Sequence, residues 1–144
     1  MKTAEITDKV IENLEKYKFI RLNYPGGDMV GHPANVEASI VAMEAIDLSL
    51  DRLMEKVKEL GGILIIAADH GNAEELFDQN NEPKTSHTTN LVPCIFCDET
   101  INRSRYRLSA IPNPSLANLA STIALLLGQE DYPDSWGKPL ITVL

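Results

Sequence analysis

Apolar residues in the first half of the chain follow two rhythms. Residues 5–17 place Ile6, Val10, Ile11 and Leu14 at helical spacing, with acids early and Lys16 late, which predicts a surface helix matched to its dipole. Phe19 to Tyr24 is rich in β-favouring residues and stops at Pro25-Gly26-Gly27, predicting a strand and then a loop that carries Asp28 and His32. Val36, Ile40, Met43, Ile46, Leu50, Leu53, Val57 and Leu60 then step by three and four, with Asn35 placed as an N-cap and Gly61 as a stop, so a long helix is predicted. Ile63-Leu-Ile-Ile-Ala-Ala68 is instead an unbroken apolar run, as in strands buried on both faces. It ends abruptly in Asp69 and His70. Strand, long helix and strand would form a right-handed parallel βαβ unit.

The second half alternates in the same way. Glu74 to Thr89 is polar and too long for a simple turn, which makes it a candidate functional loop, with His87 near its end. Leu91 to Phe96 reads as a strand and Arg105 to Leu108 as a short edge strand. Asn113-Pro114 predicts the start of a helix through Leu116, Leu119, Ile123, Leu126 and Leu127 to Gly128, and one extended segment closes an otherwise irregular tail. Alternating strands and helices indicate an α/β domain with a mostly parallel sheet. Such sheets hold ligands outside the carboxyl ends of their strands, where Asp69 and His70 would emerge.

Composition narrows the partners. The 144 residues are 44% apolar, enough for one domain or a piece of a larger one, and 13 Lys and Arg against 21 Asp and Glu leave a net charge of −8. With no basic cluster, nucleic acid is not an expected partner. No apolar run approaches a membrane span and the first residues hold no signal core, so a cytoplasmic location is expected. Cys94 and Cys97 have no second pair to complete a zinc site and read as core-filling thiols.

Three histidines, His32, His70 and His87, all fall near predicted strand ends, and two have an acid close by, Asp28 and Asp69. Imidazole and carboxylate without thiolate suit Mn²⁺, Zn²⁺ or Fe²⁺. Five donors exceed what one open catalytic ion takes from protein, so two ions, as in phosphoryl-transfer sites, fit the count better. Against this, a single loop histidine is usually solvated, and an acid at a strand end often caps a helix. The acidic pairs Glu74-Glu75 and Glu130-Asp131 read as solvated surface. No serine is well presented as a nucleophile; only Ser86, beside His87, is arguable.

Three ordered stretches carry a resemblance: Asn23-Tyr-Pro-Gly-Gly-Asp28-Met-Val-Gly-His32, Ala68-Asp69-His70-Gly71-Asn72-Ala-Glu74 and Ser86-His87-Thr-Thr-Asn90-Leu-Val-Pro93. With the Thr7-Asp-Lys helix and the Gly137-Lys-Pro-Leu tail, they resemble the carboxyl-terminal part of the cofactor-independent, metal-dependent phosphoglycerate mutases of the alkaline phosphatase superfamily. The resemblance implies a three-layer αβα sandwich, of which residues 1–144 would be a partial domain. It also implies that Asp28, His32 and His87 bind one ion and that Asp69 and His70 belong to the shell of a second, with manganese first and zinc as an alternative. The family's serine nucleophile and its inserted substrate domain have no counterpart here. The resemblance therefore implies part of an enzyme that interconverts 3-phosphoglycerate and 2-phosphoglycerate, inactive by itself, with an exposed sheet edge open to self-association. A related phosphatase or sulfatase, a phosphopentomutase and a non-catalytic metal-binding module are the alternatives. Pro25-Gly26-Gly27, Pro33 and Asn118 depart from the family pattern, the last replacing a usual aspartate.

Overall fold

A computed structural model describes residues 2–100 and 105–144, so the serine at position 104 lies outside the described residues. The chain divides into two compact units, Met1–Cys97 and Asp98–Leu144.

In the first unit, α1 (Thr3–Ile11) packs on the long helix α3 (Val36–Glu59). Asp8 and Arg52 tie the two together at 2.5 Å. The buried Thr7 hydroxyl bonds to the Thr3 carbonyl at 2.8 Å and to the Tyr24 hydroxyl at 2.6 Å, fastening the chain that follows onto α1. Both ends of α3 are closed as its sequence predicts. The Asn35 side chain accepts the Ala38 N–H at 2.8 Å. At the other end Gly62 N–H reaches the Val57 carbonyl at 2.8 Å and Gly61 N–H reaches Lys58 at 3.0 Å, with Gly61 at φ 67°, the left-handed turn that glycine makes without strain. Leu53 and Val57 are buried, whereas Val36, Ile40, Met43 and Leu60 of the same apolar series are exposed.

Two segments that precede α3 depart from expectation. Among the described residues, residues 19–24 form no helix and join no ladder, so the parallel βαβ unit does not form there. Their β propensity is satisfied only when a neighbouring strand supplies partners. Residues 26–31, expected as loop, are a short helix, α2 (Gly26–Gly31), packed on α3. Pro25 is tolerated because it stands where a helix has no N–H partner to lose, and its carbonyl accepts Met29 N–H at 3.0 Å.

The apolar run forms β1 (Leu64–Ala67) and pairs antiparallel with β2 (Cys94–Cys97), from Leu64 opposite Cys97 to Ala67 opposite Cys94. The ribbon continues beyond the strands through a bridge between Gly71 and Thr88 and another between Phe77 and Pro83. The polar stretch is thus the tip of one long hairpin, turned at Asn81 with φ 63°. Both ladders among the described residues are antiparallel, against the expected mostly parallel sheet. A hairpin needs only its own two arms, whereas parallel pairing needs a crossover and a second strand beside β1.

In the second unit, β3 (Tyr106–Leu108) pairs antiparallel with β4 (Ile141–Val143). Helix α4 (Ala117–Leu126) starts later than Asn113-Pro114 suggests and closes at Gly128, φ 79°, with the same pair of terminal bonds as α3. Asn118 is buried; its oxygen accepts Ser115 N–H at 2.6 Å and its amide donates to the Lys138 carbonyl at 2.8 Å. An aspartate could not make that second bond, which accounts for the amide here.

Candidate metal centre

α2 sets Asp28 and His32 four residues apart, on one face of a helical turn. The hairpin sets His70, just past β1, beside His87 on the returning arm, their rings stacked at 3.6 Å. Asp28 lies where the two elements meet. Its Oδ1 is 3.2 Å from His32 Nε2, 3.0 Å from His87 Nε2, 3.8 Å from His70 Nε2 and 3.2 Å from the Asn72 amide that donates to it. Asp28, His32 and His87 offer donor atoms that all lie within 4.8 Å of one another.

The chemistry of this set fits a cation. The Thr85 carbonyl, only an acceptor, lies 2.8 Å from His32 Nδ1, so that nitrogen carries a hydrogen and Nε2 is the ring atom that faces the Asp28 carboxylate. An imidazole nitrogen and a carboxylate oxygen 3.2 Å apart are held together by a proton or a cation between them. Donors bound to one ion at about 2.0–2.2 Å sit about 2.8–3.6 Å apart, from octahedral neighbours to tetrahedral ones, a range that includes the 3.2 and 3.0 Å between Asp28 and its two imidazoles. Partial burial would push the Asp28 carboxyl up. The bond from Asn72 and the charge and hydrogen bonding of His32 and His87 outweigh it and hold the carboxyl below its ordinary value.

Asp69 stands differently. Its side chain is 84% exposed, and its Oδ1 is 3.7 Å from His70 Nε2. Among the described residues it joins no group of three donors. The helical serines Ser39, Ser49 and Ser121 are buried and donate to carbonyls of their own helices, and Ser86 is exposed.

Composition hides the residues that brace this site. Glu74, read as solvated, accepts Asn72 N–H at 2.7 Å, the Thr88 hydroxyl and the Asn90 amide at 3.0 Å. The Thr88 bond comes first among the causes that lower its carboxyl to about 2, with some burial opposing. Glu75, its neighbour, pairs with Lys84 at 2.8 Å. Asn72, Glu74 and Asn90 lie inside the very stretches that carry the family resemblance, which was the signal available for them.

A profile of the Metalloenzyme superfamily matches residues 1–131. The chain belongs to the Metalloenzyme superfamily. Its alkaline phosphatase-like α/β fold is represented here as a partial domain. Within this superfamily it is 41% identical over 142 residues to the 2,3-bisphosphoglycerate-independent phosphoglycerate mutase of Akkermansia muciniphila, covering 99% of this chain and 27% of that protein. The enzyme of the same name from Moorella thermoacetica is 40% identical, covering 98% of this chain and 26% of that protein. A crystal structure of Leishmania mexicana phosphoglycerate mutase at low cobalt concentration superposes with a TM-score of 0.88 and 34% identity, over 100% of this chain and 29% of that one. The chain thus spans roughly a quarter of the relatives it matches. Superfamily and donor cluster together imply a divalent metal. Among the described residues no helix is long and apolar enough to cross a membrane.

Proposed function

We propose that this chain is the metal-binding part of a phosphoglycerate mutase that interconverts 3-phosphoglycerate and 2-phosphoglycerate through a phosphoserine, and that alone it does not catalyse. The convergence of His32 and His87 on one oxygen of Asp28 carries the reading, together with the similarity to mutases along nearly the whole chain. On this reading Asp28, His32 and His87 hold one divalent ion, manganese before zinc, and Asp69 and His70 contribute to the shell of a second. A bound divalent ion supplies positive charge to the oxygens of a transferring phosphoryl group.

The chain's own residues prepare that site. The Thr85 carbonyl keeps His32 in the tautomer whose Nε2 is free, and the Asn72 amide steadies the Asp28 oxygen. The nucleophile and the groups that grip phosphoglycerate come from sequence beyond this chain. The exposed apolar residues of α3 and the edges of the β1–β2 ribbon, which no other described strand pairs, support cover by the rest of such an enzyme, or self-association in its absence. The same reading places the protein in the cytoplasm, where glycolytic phosphoglycerates are made and used.

Assaying both the purified chain and the longer protein that contains it against 3-phosphoglycerate tests the proposal. The longer protein is expected to form 2-phosphoglycerate and the chain to form none. Phosphate release by the longer protein would point to a hydrolase instead, and robust turnover by the chain alone would overturn its assignment as a part.

A further inference from the structure

We propose that Glu74 is the positioning residue of the metal cluster, holding the hairpin arm that carries His87 in register with the amide that holds Asp28. The inference rests on the metal reading of the site and adds a residue to it. One carboxyl group bridges both arms. Oε2 accepts the backbone of Asn72, whose side chain in turn donates to Asp28 at 3.2 Å. Oε1 accepts the Thr88 hydroxyl and the Asn90 amide on the arm that begins with His87. Hydrogen bonds to an ionised carboxylate are about twice as strong as neutral ones, so three of them dominate this end of the ribbon.

The backbone is shaped to admit the brace. A Cβ at Gly71 would run into the Thr88 hydroxyl and the Glu74 carboxylate, and one at Gly31 would run into the Asn72 carboxamide oxygen. That oxygen is buried with no hydrogen-bond partner among the described residues, so the Asn72 side chain is held by its amide's bond to Asp28 on one side and by packing on the other. Glu75 carries the same charge one residue on but turns to Lys84 at 2.8 Å, and accepts only a long 3.4 Å bond from the Asn90 amide that Glu74 holds at 3.0 Å. It is the natural control.

Titrating the purified 144-residue chain with Co²⁺ alone, by calorimetry and by the visible spectrum of the bound ion, tests the inference alongside imidazole ¹⁵N–¹H spectra of the metal-free protein. Glu74→Ala is expected to weaken cobalt binding roughly 10–100-fold, as loss of a supporting partner does. It is also expected to shift the His87 ring signals while leaving those of His32, held by Thr85, in place. Glu74→Gln, with one acceptor instead of two, is expected to lose less, and Glu75→Gln to match wild type. Far-UV circular dichroism reports folding, and where Glu74→Ala does not fold, Glu74→Gln decides. Wild-type affinity with unmoved His87 signals in the deciding variant would overturn the inference and leave the metal reading standing. A wild-type chain that takes no cobalt would overturn the metal reading, and the His87 signals would still decide the role of Glu74.

Discussion

The Asp28 side of the site and the Asp69 side are built from the same residue types, yet they differ in what surrounds them. Asp28 sits on a helix packed against α3, accepts a buried amide and faces two imidazoles within 3.2 Å. Asp69 stands at the end of a strand with its side chain 84% exposed, near one imidazole at 3.7 Å. Donor type does not make a metal site; convergence and bracing do. On the proposed reading the first cluster is complete within this chain and the second is half of a shell.

The largest effect should come from removing the shared oxygen. Asp28→Ala is expected to weaken divalent metal binding by more than the roughly 10–100-fold that loss of a supporting partner costs, measured by Co²⁺ titration. Asp69→Ala should leave the same titration unchanged. Equal losses in the two variants would erase the distinction between the clusters.

Next in size is a change that touches no ligand. Gly31→Ala places a methyl group against the Asn72 carboxamide and should push that side chain off Asp28. Overpacking of this kind costs about 1–3 kcal/mol, readable as a lowered urea midpoint, and the cobalt affinity should fall with it. A variant with lowered stability but intact affinity would show that Asn72 does not position Asp28.

The smallest effect is expected from pH. Glu74 has a folded-state pKa of about 2 against an ordinary 4.5, so its contribution to stability is complete above 4.5 and is lost as pH falls towards 2. Asp28 is shifted in the same direction. Urea midpoints of the metal-free chain should decline across that acid window, and Glu74→Gln should flatten the decline. An unchanged slope in that variant would mean that the brace does not contribute to folding.

What the sequence made legible follows from how locally each feature is specified. Helix α3 carries its own stripe and both of its stops, and β1 its own apolar run, so both lie where the pattern puts them. Residues 19–24 have strand propensity but need a neighbour to express it, and none of the described residues provides a ladder. Pro25-Gly26-Gly27 has the composition of a breaker, yet it opens a helix, because those positions lose no hydrogen bond and α2 packs on α3. The five candidate ligands are visible as a set, whereas the meeting of His32 and His87 on Asp28 depends on a hairpin that joins residues 70 and 87. By its sequence Glu74 belongs to a charge run, which is usually solvated; its three partners become visible only once the hairpin arms are paired.

The central claim is that one cluster in this chain binds metal by itself and the other does not. Counting the ions bound per chain, by elemental analysis after equilibration with excess Mn²⁺ and desalting, addresses it most directly. One ion per wild-type chain, abolished in His32→Ala and retained in Asp69→Ala, is the predicted result. No bound ion, two ions, or an ion that survives the loss of His32 would contradict it.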